Sequence, residues 1–235
     1  MTNPELARTF ATLSTPLVAD ACLRVGLPIR GAPSGLRPVL PGTRAAGSVR
    51  PARHVGSVDV FLEACESARP GDVLVIDNAG RLDEACIGDL TALEAKAAGI
   101  AAIVLWGVHR DSSELASVGL PVWSYGAVPA GPQRLDPRPD DALSRACFGN
   151  EVASSADLVF ADGDGALFVV ADRAEEVLTT AAAIAERERA QARDVARGRT
   201  LRQQFRFERY LAERAARPSL TFREYLQSVG GAIEV

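Results

Sequence analysis

Between residues 70 and 115, two short apolar runs, Val73-Leu74-Val75-Ile76 and residues 100–106, flank a segment of helical spacing. Their length and β-branched content are those of buried strands, so the stretch reads as a strand, helix, strand crossover. That unit puts the chain in the α/β class. Its polar residues gather where the elements end, at Asp77-Asn78, Gly88-Asp89 and His109-Arg110-Asp111. Those are the positions where α/β proteins bind ligands.

The helix of the crossover is expected over residues 83–98. Cys86, Leu90, Leu93 and Ala97, spaced by four, three and four, would form the stripe that packs on the sheet. Gly99 fits its C-terminal cap. Upstream, residues 6–25 read as two helices, the second opened by Ser14-Thr15-Pro16, and residues 26–41 read as a loop rich in Gly and Pro. A strand over 45–53 and a helix over 58–67 follow. Downstream come a short helix after Asp111 and a strand over 122–125. Residues 126–141 then hold four prolines and two glycines, which predicts a long irregular loop serving as a lid or an interface arm. Strands over 158–161 and 166–170 flank Asp162-Gly163-Asp164-Gly165, a hairpin turn that lacks the spaced ligands of a calcium loop.

Near residue 172 the composition turns to Ala, Glu and Arg, which divides the chain into a body (1–171) and a helical C-terminal extension (172–235). A long helix to about Arg197 is expected, then a second through Leu211. A last short helix opens at the capping box Thr221-Phe222-Arg223-Glu224 and ends at Gly230-Gly231. Phe205, Phe207, Tyr210, Phe222 and Tyr225 are expected to pin these helices to the body or to a neighbouring subunit.

With 235 residues, 47% of them hydrophobic, the chain can bury a substantial core, and its net charge of −4 argues against nucleic-acid binding driven by overall charge. No apolar run approaches a membrane span, and the N-terminal MTNPELARTF lacks the order of a signal peptide. A cytoplasmic protein is expected, its four dispersed cysteines reduced. Lys96 is the only lysine, so it is the only candidate for Schiff-base chemistry. Its place in the C-terminal half of the expected helix makes it a solvated flank residue.

At Gly88-Asp89-Leu90-Thr91, free N–H groups of a first helical turn can receive an anion, with Asp89 either part of that site or a complement to the helix dipole. An arginine beside a carboxylate, Arg110-Asp111, suits oxyanion stabilisation next to a hard cation. Asp111-Ser112-Ser113-Glu114 also has capping-box form, so Asp111 has a second, structural reading. His109 reads as a general base or as a packing residue.

The order PGDVLVID-NAG, GDL at a helix start and GVHRD after the next strand, with Val18-Ala19-Asp20-Ala21 upstream and the Asp162–Gly165 turn downstream, resembles the RraA-like family. That family includes divalent-metal aldolases for 4-hydroxy-4-methyl-2-oxoglutarate and 4-carboxy-4-hydroxy-2-oxoadipate, and regulators of ribonuclease E. The resemblance implies a swivelling β/β/α domain assembled as a homotrimer or homohexamer, with sites between subunits. It implies Mg²⁺ or Mn²⁺ bound by Asp111, and by Asp89 through water. Arg110 would contact the pyruvyl oxygen, the backbone of Gly88–Thr91 would receive the substrate carboxylate, and Glu188, with Glu186 adjacent, would reach a neighbour's site. A 4-hydroxy-2-oxo acid cleaved to pyruvate is the implied substrate, with oxaloacetate decarboxylation as a side activity. In the family's regulator branch the metal-binding aspartate is replaced. Two departures from the family pattern, Arg81 after the Asn78-Ala79-Gly80 turn and His109 in place of a small residue, would add positive charge or donors near the rim.

Overall fold

The computed structural model describes residues 1–229. In chain order its elements begin with helices α1 (Asn3–Phe10) and α2 (Thr15–Arg24), strands β1 (Arg30–Gly31), β2 (Arg37–Pro38) and β3 (Ala45–Arg53), and helix α3 (Asp59–Glu66). Then come β4 (Val73–Asp77), β5 (Ala85–Ile87), α4 (Asp89–Ala97), β6 (Ala102–Trp106), β7 (Val108–His109), α5 (Ser112–Val118) and β8 (Val122–Ser124). The remainder is β9 (Arg145–Phe148), β10 (Glu151–Ser154), β11 (Asp157–Asp162), β12 (Gly165–Val170) and helices α6 (Ala174–Ala196), α7 (Leu201–Gln204), α8 (Phe207–Ala216) and α9 (Phe222–Ser228).

Eight strands form one sheet in the order β1-β12-β11-β3-β4-β6-β8-β2. The centre, β3-β4-β6-β8, is parallel, and both flanks are antiparallel. Period-two alternation explains the apolar runs. Leu74, Ile76, Ile103 and Leu105 enter a core shared with α3 and α4, while Val73, Val75, Ala102 and Val104 enter the core on the other face. Each buried aliphatic side chain of this kind contributes about 1.5–3 kcal/mol. The register aligns Arg53, Asp77 and Trp106 in one row at the carboxyl ends of β3, β4 and β6.

The structure corrects the expected helix over 83–98. Residues 85–87 are a strand instead, paired in parallel with β7 across a bulge, and the helix starts only at Asp89. Its buried face is Ala92 and Ala95, whereas Leu90 is 75% exposed and Leu93 48%. Cys86 is buried, but from the strand. Alanines let α4 lie close to its neighbours, which turns the leucine stripe outward. The loop expected over 26–41 carries the two short strands β1 and β2, and the β9–β10 hairpin adds a pair with no counterpart in the sequence reading.

The Asp162–Gly165 hairpin turn is present, and its acidic residue has a structural task. Asp162 is buried, and its carboxylate accepts from Thr15 N, Thr15 Oγ1 and Asp164 N, which ties α2 to the hairpin. All four cysteines are free thiols. Residues 126–141 contain no helix or strand, yet they are strapped down: Asp136 N donates to Val55 O, Ala85 N donates to Ala130 O, and Arg134 binds Glu84 and Asn78.

The first half of α6 packs through Val177, Leu178, Ala181 and Ile184 into the core that holds α1 and α2. Beyond Ala185 its residues are exposed or half-exposed. The helix expected through Leu211 is two helices, α7 and α8, broken at Arg206, whose φ of 49° is left-handed. Of the two roles expected for the tail aromatics, pinning the helices to the body is not the one found within the chain. Phe205, Tyr210 and Tyr225, with Leu220, Leu226, Phe207 and Phe222, form a separate cluster. The capping box at Thr221 and Glu224 is formed; the proposed stop at Gly230-Gly231 lies outside the described residues.

Candidate active site

The site forms where β5 and β7 run side by side. Arg110 N donates to Ile87 O at 3.0 Å, which fixes the start of the Arg110-Asp111 turn against the residue before Gly88. Gly88 is the N-cap of α4, in extended backbone that any residue can adopt, so its need for glycine is steric. A β-carbon there would collide with Asp111 Oδ2 and come within 3.2 Å of Arg110 Cγ and 3.3 Å of Arg110 Nε. The sequence-predicted trio Gly88, Arg110 and Asp111 is thus in direct apposition.

Asp111 stands just before α5 with φ 59° and ψ 45°, a left-handed conformation that costs a non-glycine residue on the order of 1 kcal/mol. Its side chain makes no capping hydrogen bond, so the capping-box reading fails. The carboxylate, 35% exposed, faces the Arg110 guanidinium at 3.4 Å. Asp89 caps locally instead: its Oδ1 accepts from Leu90 N at 2.7 Å.

Gly88, Asp89, Leu90, Thr91 and Arg110 border a groove of about 680 Å³ that continues between α3 and α4 over Val58, Leu62 and Leu93. Gly131 of the strap comes close to the Arg110 side chain, where an added β-carbon would lie 3.1 Å from Nη1. Neither Glu186 nor Glu188, both exposed on α6, lines the groove of its own chain. Lys96 lies on the exposed side of α4, its Nζ donating to Val118 O at 2.6 Å.

His109 is not a charged rim residue. It is 6% exposed, Nδ1 lies 2.6 Å from Ser124 Oγ and Nε2 lies 2.9 Å from Ser112 Oγ. Burial holds its pKa below the ordinary imidazole value, against the opposing influence of Gly126 and Asp111. Each ring nitrogen has a hydroxyl partner, and in the neutral ring one of the two donates while the other accepts. Arg81 is likewise committed, to Asp83 at 2.6 Å and Glu84 at 3.3 Å. Sequence reading missed Ser112, Ser124 and the approach of Gly131; only the histidine beside a Ser-Ser pair hinted at the first.

A smaller polar pocket of about 260 Å³ lies at the carboxyl ends of β3 and β4, under the strap. Arg134 Nη2 can only donate to Asn78 Oδ1, so His54 Nδ1, 2.9 Å from the same oxygen, also donates. His54 is stacked on Phe61, and burial keeps its pKa low.

Could these residues hold a hard cation? Asp111 offers a carboxylate free of structural duty, in a recess that exists because Gly88 has no side chain. Among the described residues no group of three or more His, Cys, Asp or Glu forms a closed cage. One or two carboxylates with the remaining positions left to water is the pattern Mg²⁺ tolerates, so the donor set fits.

The fold is thus an α/β sheet in which the start of α4 faces the Arg110-Asp111 turn across one groove. The chain belongs to the RraA-like family, whose model, described as Aldolase/RraA, matches residues 15–168. A relative from Halalkalibacterium halodurans, named "Putative 4-hydroxy-4-methyl-2-oxoglutarate aldolase", is 29% identical over 212 residues, covering 89% of this chain and 95% of the relative. A solved structure of an uncharacterized protein from Pseudomonas syringae superposes with a TM-score of 0.72 at 26% identity, covering 85% of this chain and 96% of that one. RraAS2 from Streptomyces coelicolor, titled an unusual member of the RNase ES inhibitor RraA protein family, gives 0.70 at 28%, covering 80% and 96%. The swivelling β/β/α fold expected from the sequence is the fold observed. No helix among the described residues is long and apolar enough to cross a membrane.

Proposed function

We propose that this protein is a divalent-metal-dependent carbon–carbon lyase that cleaves a 4-hydroxy-2-oxo acid to pyruvate. The observation that carries the reading is the Asp111 carboxylate, held in a strained turn against Gly88, unused by the helix it precedes and paired with Arg110. Asp111, and Asp89 through water, would hold Mg²⁺ or Mn²⁺, whose Lewis acidity polarises a bound 2-oxo group.

The chain's own residues supply the rest. Backbone N–H groups at the start of α4 receive the substrate carboxylate. When the C3–C4 bond breaks, its electron pair moves to C3 and onto the 2-oxo oxygen, where Arg110 stabilises the charge. The C4 hydroxyl becomes a carbonyl as its proton leaves through water toward Asp89 Oδ2, the oxygen not engaged by Leu90, and a proton returned through water to C3 of the enolate gives pyruvate. Oxaloacetate decarboxylation needs the same enolate and no hydroxyl base, so it is expected as a side activity.

A homotrimer or homohexamer is part of this reading. The groove beside Gly88 exposes Val58, Leu62, Leu90 and Leu93, an apolar surface continuous with the site. A second copy covers it and brings Glu188, or Glu186, toward the site. Chelation tests the mechanism: pyruvate release should stop with EDTA and return with Mg²⁺, and release that survives exhaustive chelation overturns it.

A second reading, a non-catalytic regulator of an RNA-processing enzyme, is favoured by the likeness to the Streptomyces RNase ES inhibitor relative. Mn²⁺ affinity separates the two, because a pure binding module is indifferent to Asp111→Ala.

A further inference from the structure

We propose that His109 is a positioning residue that clasps the Arg110-Asp111 turn shut through Ser112. This goes beyond the lyase reading and takes its functional meaning from it. The turn is two residues long, and one of them, Asp111, sits in left-handed backbone; its carboxylate pairs only with Arg110 of the same turn and makes no capping bond to α5. A strained residue persists only where its surroundings over-determine it. On the near side, His109, the last residue of β7, is fixed by the start of the strap: its N donates to Gly126 O at 3.0 Å and its O accepts from Val128 N at 2.9 Å. Across the turn, its Nε2 meets Ser112 Oγ at 2.9 Å, and Ser112 is the first residue of α5.

The other ring nitrogen, 2.6 Å from Ser124 Oγ, anchors the imidazole to β8. A buried ring held at both nitrogens has no rotamer freedom left. It therefore links the end of β7, the beginning of α5 and the adjacent strand β8 in one rigid brace, with Arg110 and Asp111 spanning the gap. Without the brace, Asp111 can relax toward ordinary right-handed backbone, which carries its carboxylate away from Gly88. His109 touches neither substrate nor metal; it acts through the geometry of the two residues that follow it.

The test compares His109→Phe, Ser112→Ala, the double variant and Ser112→Thr in the full chain. Amide exchange is measured in metal-free protein at Leu115, whose N–H donates to Asp111 O at 2.8 Å. Mn²⁺ affinity is read by electron paramagnetic resonance. Loss of the clasp should speed exchange at Leu115 and weaken Mn²⁺ about threefold to tenfold, the value of one hydrogen bond. The double variant should be no worse than the more severe single, and Ser112→Thr, which keeps the hydroxyl, should behave as wild type. Additive losses, or folded Ser112→Ala with unchanged exchange and affinity, overturn the clasp. If wild-type protein binds no Mn²⁺, the metal reading falls. The exchange data then decide the clasp alone, and unchanged Leu115 exchange in Ser112→Ala rejects it.

Discussion

The carboxylate of Asp111 occupies the space that a β-carbon on Gly88 would fill. Because Gly88 has extended backbone, Gly88→Ala adds a collision without adding backbone strain. The variant should fold with a melting temperature within a few degrees of wild type, yet lose at least 100-fold in kcat/KM, equivalent to about 2.7 kcal/mol. Circular dichroism and pyruvate release check it. Near-normal activity would show that the apposition is incidental.

Asp111→Asn separates charge from conformation. Asparagine tolerates left-handed backbone about as well as aspartate, and no capping bond is lost. Thermal stability should hold, while Mn²⁺ binding and turnover should fall to background. A matching loss of stability would instead make Asp111 a structural residue.

Lys96 should be dispensable for chemistry. Its amine is on the exposed side of α4, bonded to Val118 O. Lys96→Ala should keep most of the activity and cost about 1 kcal/mol of stability at most. Borohydride added with pyruvate should trap no adduct; a Lys96 adduct would place the chain among Schiff-base aldolases.

Acid should destabilise the fold through its two histidines. Burial holds His54 and His109 below the ordinary imidazole value, so as pH falls below about 6.5 the unfolded chain binds protons before the folded one does. Their contribution is complete above that pH and is lost as pH descends through the folded-state values. Urea unfolding at pH 7.5 and 5.5 should show the loss, with a slope of at most about 1.4 kcal/mol per pH unit per ring. His54→Gln should reduce that slope. A flat profile contradicts the assignment of both rings as buried and neutral.

Assembly is testable at the groove. Leu93→Glu places a charge on the exposed apolar face of α4, in the part of the groove beyond the first helical turn. Light scattering should give a trimer or hexamer for wild type and a smaller species for the variant. A monomeric wild type removes the shared-site arrangement.

The sheet was legible because β4 and β6 carry short runs apolar on both faces and rich in β-branched residues, as strands covered on both sides do. Gly88, Arg110 and Asp111 were legible because they fall where elements end. What escaped depends on tertiary pairing. Residues 85–87 match a helical period, but β7 recruits them into a strand. Leu90 and Leu93 look like a core stripe, but two alanines bury the opposite face of α4. Asp111 sits in a perfect capping-box string and caps nothing, because the left-handed backbone turns its side chain toward Gly88. His109 could not be distinguished from a rim base until Ser112 and Ser124 were seen at its two nitrogens.

The aromatic cluster of α7, α8 and α9 has a thermodynamic corollary. Because this cluster is separate from the body's cores and is reached through the exposed half of α6, it should unfold as a second cooperative unit, and the chain should depart from all-or-none unfolding. A scanning calorimeter should record a total heat larger than the van't Hoff enthalpy of its main peak. In a Tyr125→Phe variant, tyrosine fluorescence comes from Tyr210 and Tyr225 in the cluster, and its midpoint should differ from that of the absorbance of Trp106 and Trp123 in the body.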